Sequence, residues 1–226
     1  MAEEVTYSGS EANRALGLKD ITLTRSHDAL DHMDEHLGVT PDGRVVLSYL
    51  AHDDDPMDYE WDRACQGRFE EFRSAQARDE RLLELQRDGT LVFLVERYAH
   101  GNVHYSVAGT RNYPDRQWDV AQCAIYIPPD DEQAAFTLGR NNEYVLRTYA
   151  NQRLSEYSKW RNGEVYAVVV ETFERDERGE FRNIDTDAVW GHIGGDYAES
   201  ELRARHAIAV SAPPPAPPAP QGLSPS

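Results

Sequence analysis

The chain has 226 residues, 40% of them hydrophobic and 28% charged, enough apolar material for one well-cored domain or two small ones. No apolar run approaches the roughly twenty residues of a membrane span, and "MAEEVTYSGSEANR" lacks the basic and apolar regions of a signal peptide, so a cytoplasmic, membrane-free protein is expected. Forty acids against 23 bases give a net charge of -17, a field that repels bare nucleic acid and anionic membrane surfaces.

The charge is uneven, with fourteen acids and four bases in residues 1–61. Only two of the bases are lysine. That arginine bias, with abundant alanine and proline, points to a GC-rich coding sequence, as in actinobacteria and their phages; a halophilic origin would leave a similar composition. Cys65 and Cys123 are too few for a disulfide framework or a cysteine zinc cage and read as buried, reduced thiols.

In chain order, residues 1–20 are polar and unpatterned and predict a flexible N-terminus. "ITLT" (Ile21–Thr24) reads as a short strand, and "SHDALDHMDEHLG" as a helix capped by Ser26 and closed by Gly38. "RVVLSYLA" (Arg44–Ala51) is a strand followed by the acidic loop "HDDDPMDYEWD". A long helix is expected over 62–87, with Cys65, Phe69, Phe72, Ala75 and Leu82 or Leu83 at helical spacing and Asp88-Gly89 as its stop. "LVFLVERYA" and "VHYSVAG" form a hairpin about Gly101-Asn102. The strand "VAQCAIYI" carries Ala121, Cys123, Ile125 and Ile127 on one face and ends at Pro128-Pro129.

A helix from Asp130 breaks near "GRNN" and resumes after Asn142 with an apolar stripe of Leu146, Ala150, Leu154 and Tyr157, continued by Trp160 or Arg161. Asn162-Gly163 turns the chain into the strand "EVYAVVVETFE", and "FRNIDTDAVW" pairs back across "RDERG". A last helix runs from near Asp196 to Val210, and residues 211–226 form a disordered proline-rich tail. Strand runs mixed with helices predict a single α+β domain over 21–210, with a mainly antiparallel sheet packed against two to three longer helices.

Gly191, Gly194 and Gly195 stand between a strand and a helix, the setting of phosphate loops. No lysine follows them, Asp185 and Asp187 stand just before, and Asp196 with Glu199 has the form of a capping box. The stretch therefore reads as a tight corner anchored in the core by Trp190 and Ile193.

The pieces "QWDVAQCAIYI" (117–127), "YSKWRNGEVYAVVVE" (157–171) and "DTDAVWGHIGGDYAESEL" (185–202) resemble an uncharacterised family of proteins from phages and plasmids of Gram-positive bacteria. Trp118, Asp119, Gly163, Trp190, Gly191, Gly194 and Asp196 carry the shared pattern, across roughly residues 115–205. "LGVTPDGRVVLSYLAHDDD" matches more loosely. The resemblance implies a mobile-element origin and no particular activity.

His27, His32 and His36 invite a metal reading, since His32 and His36 lie one turn apart on the expected helix. A zinc-protease helix needs glutamate directly after its first histidine; Met33 stands there. "DDDPMDYEWD" (53–62) fails as a calcium loop, because Asp58 replaces the required glycine and Ala64 the bidentate glutamate. There is no Gly-x-Ser-x-Gly elbow. Trp118-Asp119 and Trp190, like Tyr157, Trp160 and Tyr166, read as core aromatics rather than a ligand groove. No catalytic residue, cofactor or metal site is assigned.

The expected function is non-enzymatic: an accessory protein that binds a host protein, its acids occupying a basic, nucleic-acid-binding surface as an anti-defence DNA mimic. Asp31, Asp34, Glu35, Asp53, Asp54, Asp55, Asp58 and Glu60 are the candidate contacts. Two alternatives are a metal-dependent hydrolase using His32, His36, His52 and Asp53–Asp55, and a virion or assembly component.

Overall fold

The computed structural model describes residues 3–30, 35–59, 61, 66–114 and 116–213. Their elements are β1 (Glu3–Ser8), α1 (Glu11–Leu16), β2 (Asp20–Arg25), β3 (His36–Val39), β4 (Val45–His52), β5 (Arg68–Glu71), α2 (Ala75–Arg87), β6 (Phe93–His100), β7 (Asn102–Val107) and α3 (Arg116–Asp119). β8 (Val120–Ile127), α4 (Asp130–Thr137), α5 (Glu143–Arg161), β9 (Val165–Arg175), β10 (Phe181–Ile193) and α6 (Gly195–Ser211) complete an α+β chain with antiparallel sheets. Where one domain over 21–210 is expected, the chain gathers into two compact units, residues 1–53 with 166–226 and residues 54–165.

The first unit is built on a four-stranded sheet of order β10-β9-β4-β3. β4 and β9 are buried almost throughout and alternate between two covered faces. Val45, Leu47, Tyr49, Ala51, Ala167, Val169 and Phe173 pack with Ile21 and Leu23 of β2 and Ala12 of α1. Leu50, Tyr166 and Val168 pack on the opposite face with Ala198 and Leu202 of α6. Burial on both faces explains the near-continuous β-branched run, since neither face is left to water.

The N-terminus is not the flexible segment expected. β1 pairs with β2 over Glu3↔Arg25 to Ser8↔Asp20. Ser10 caps α1 in a reciprocal capping box with Asn13, and Gly17, at φ 65°, closes it in the left-handed region that glycine tolerates. The helix expected from Ser26 to Gly38 is absent among the described residues: Ala29 bridges Ala51, and His36–Val39 is β3, paired with β4. Residues 31–34 lie outside the described residues.

The second unit has a four-stranded sheet of order β5-β8-β6-β7. One face packs on α5, where Leu146, Ala150, Leu154 and Tyr157 meet Phe93, Val95, Tyr105, Val107, Ala124 and Tyr126. Ile125 and Ile127 face the other way, toward Leu85 of α2. Cys123 joins the α5 side, because β6 and β8 change register at Val95/Glu96 and the bulge breaks the alternation expected for β8. The long helix expected over 62–87 is also corrected. Arg68–Glu71 is strand β5, paired with β8, and the helix begins at Ala75 behind the cap Ser74. The hairpin at Gly101, the break between α4 and α5 and the stop at Asp88 lie where the sequence predicts.

Candidate functional site

On the α6 face of the first unit, α6 and the edge strand β10 leave a groove of about 340 Å³. Val170 and Thr172 of β9 and Ile208 and Ala209 of α6 line it, with Asp185, Asp187, Glu201 and Arg205. The spacing explains the convergence. Asp185 and Asp187 are two apart on a strand and share a face; Glu201, Arg205 and Ile208–Ala209 recur one helical turn apart. Arg205 donates from Nη1 to Asp187 Oδ2 at 3.0 Å and from Nε to Glu201 Oε1 at 2.9 Å. Two carboxylates thus share one guanidinium, Asp185 lines the same groove beside them, and Asp185 and Asp187 are exposed. On the opposite face, Ala188 packs against the β2 side of the sheet, and Trp190 meets the His27 ring at 5.3 Å.

The corner after β10 differs from expectation. Trp190 is 45% exposed, and the buried anchor is His192. Gly191 takes φ 87°, a conformation that re-aims the strand before the helix. His192 Nε2 is buried and makes no hydrogen bond among the described residues. Burial holds its pKa below the usual histidine value, with Glu201 opposing that shift and Arg205 adding to it. Gly194, at φ 88°, is the N-cap of α6 and supplies no side-chain bond; Asp196 lies in the first turn rather than capping it. Its carboxylate there still suits the positive end of the helix dipole.

Other candidates disperse. Asp31, Asp34, His32, Glu60 and Cys65 lie outside the described residues. Glu35 is committed inside the first unit, pairing with Arg25 and accepting from the Tyr7 hydroxyl. Asp53 closes the first unit's N-terminal segment, whereas Asp54, Asp55 and Asp58 begin the second. His36 faces His206 at 5.6 Å between ring centroids, and His206 Nδ1 lies 2.9 Å from Ser48 Oγ. Ser48 is fully buried, so this serine–histidine pair is a packing contact without access for a substrate. The helix crosses close here: a Cβ on Gly38 would stand 2.4 Å from Val210 Cγ2. Among the described residues, no group of three or more His, Cys, Asp or Glu could hold a metal ion.

In the second unit, Trp118 is 80% exposed, not core, and Asp119 Oδ2 lies 3.0 Å from His100 Nδ1. Gly163, at φ 76°, makes the turn after α5. Tyr157 and Tyr166 are buried as expected, and burial pushes the Cys123 thiol up, away from the reactive thiolate. No protein-family model matches the chain, and no curated protein or solved structure matches it either.

Proposed function

We propose that the chain is a non-enzymatic binding protein whose first unit takes a basic segment of a partner protein into the groove between β10 and α6. The observation that supports this is the charge imbalance in a partly apolar groove: Asp185, Asp187 and Glu201 line it with one base, Arg205, and with Val170 and Ile208. Lysine and arginine fit such a surface twice, lying their alkyl stems on apolar side chains while their charged heads meet carboxylates. The setting proposed is an accessory protein of a phage or related mobile element. Its host target would be a protein whose basic surface otherwise holds nucleic acid.

Titrating the full chain into a fluorescent arginine-containing peptide tests the reading. Asp185→Asn/Asp187→Asn should weaken binding about tenfold, the scale of two exposed ion pairs, and added salt should weaken the wild type toward the variant. Asp54→Asn/Asp55→Asn/Asp58→Asn is the control. Loss of binding there, with the groove variant unaffected, would move the contact to the acidic loop.

A further inference from the structure

We infer that the partner segment binds as an added β-strand along the free edge of β10, with basic and apolar residues alternating along it. This rests on the groove reading above and goes beyond it by fixing the segment's conformation and sequence pattern. β10 is the last strand in the order β10-β9-β4-β3, so its outer row of N–H and C=O groups has no strand partner among the described residues. It is thirteen residues long, and most of Arg182–Trp190 is exposed. Edges of that length are ordinarily blunted by charge, proline, bulges or brevity. Phe181–Ile193 has no lysine or proline, and its charges are Arg182, Asp185 and Asp187. Its one positive-φ residue, Gly191, lies past the stretch proposed to pair.

The two faces of this edge differ in chemistry. Asp185 and Asp187 point to the α6 side and line the groove. Ala188 packs toward the other face, and Trp190 there is 45% exposed against His27. Side chains directly opposite one another on neighbouring strands share a face. A strand laid on β10 therefore sets its alternate residues against Asp185 and Asp187, where bases fit. The intervening ones lie toward Ala188 and Trp190, where apolar residues fit. A second copy of the chain matches less well, because an antiparallel pair centred on Thr186 sets Asp185 against Asp187. The committed occupant is an extended segment of a different, basic protein.

The test uses the full chain and two peptides of equal composition: an eight-residue peptide alternating arginine and valine, and its isomer with the arginines and valines in separate blocks. Binding is measured for both, with amide hydrogen exchange of β10 followed in each complex. The alternating peptide should bind about tenfold tighter, the scale of several cross-strand pairs. It should slow exchange at alternate amides between Ile184 and Trp190. Asp185→Asn/Asp187→Asn should remove most of that preference. Equal affinity for both peptides, or binding that depends on Asp185 and Asp187 without slowing β10 amides, overturns strand addition and leaves the groove reading standing. Failure of both peptides to bind overturns both.

Discussion

The two units carry equal numbers of acids and treat them differently. Residues 54–165 hold twenty acids and fourteen bases, whereas residues 1–53 and 166–226 hold twenty acids and only nine bases. The second unit pairs more of its carboxylates internally: Arg153 pairs with Glu132, Arg81 with Glu70 and Glu84, Arg147 with Glu143. Its core is aromatic, with Tyr157 ringed by Tyr59, Trp61, Phe69, Tyr105 and Trp160 at centroid distances of 5.0–5.9 Å. The first unit has a more aliphatic core, with Tyr49, Tyr166 and Phe173 its buried aromatic members, and sets three carboxylates in one groove with a single base, Arg205. Acidity alone is thus a poor guide to a partner surface. What matters is which carboxylates lack an arginine of their own.

Among the described residues, each unit also buries one glutamate completely, by opposite means. Glu96 of β6 pairs with Arg116 and accepts from Gln122 and the Gly109 N–H. Glu171 of β9 accepts from the Ser26 N–H at 3.0 Å, the Tyr49 hydroxyl at 3.2 Å and Asn183 Nδ2 at 3.0 Å, all neutral donors. Burial, with Glu171 nearby, pushes the Tyr49 hydroxyl up to about 12, so it stays a donor at neutral pH.

The largest expected effect tests whether the units are separate at all. Leu154→Ala removes a fully buried side chain from α5 and should cost about 2–5 kcal/mol in denaturant unfolding. Three tryptophans, Trp61, Trp118 and Trp160, fall in the second unit and Trp190 alone in the first. A version keeping only Trp190 should report a smaller shift; an equal shift would mean that the two unfold as one cooperative body. Next in size, Glu171→Ala should cost roughly 1–3 kcal/mol, because three neutral donors lose their acceptor inside the protein. Glu96→Ala should cost less, since Arg116 is 43% exposed and can turn to water. Equal losses would erase the contrast.

A smaller effect is expected from pH. Burial lowers the pKa of both His192 and His206, with His36 adding to the shift at His206. A lowered folded-state value means that the unfolded chain takes up these protons first. Their contribution therefore makes stability fall as pH drops below about 6.5, flattening below the folded values. His192→Phe/His206→Asn should reduce the slope of denaturation midpoint against pH in that window, and an unchanged slope would assign the sensitivity elsewhere. Smallest of all, Arg203→Ala breaks an exposed i,i+4 pair with Glu199 and should cost no more than about 0.5 kcal/mol.

Legibility followed the reach of each signal. The α5 stripe, the Gly101 hairpin and the long strand β9 were readable because periodicity and turn chemistry are local. β1 was not, since Tyr7 and Val5 become strand residues only through their partners Ile21 and Leu23. The period misled at Phe69, whose spacing from Phe72 fits a helix although β8 draws it into a sheet. Asp185 and Asp187 were visible as acids that would deter phosphate; their meeting with Glu201 and Arg205 depends on where α6 returns over the sheet. Glu96 and Glu171 gave no signal, because a buried carboxylate looks like any polar residue in a strand. The sequence points Trp190 inward and gives no sign of His192, since the positive φ at Gly191 is invisible in one sequence.

The pairing of β4 with β9 ends at His52↔Tyr166, which puts the two ends of an insertion side by side. Residues 54–165 form a continuous stretch and satisfy their own sheet from local partners, so that stretch can condense while the chain is still being synthesised. The sheet of the outer unit cannot close until β9 emerges, long after β4. Until then, β4 presents the apolar face that α6 later covers and a free edge, the condition in which strands find wrong partners. Joining residue 53 to residue 166 through a short turn would convert β4 and β9 into a hairpin and shorten that wait from more than a hundred residues to a few.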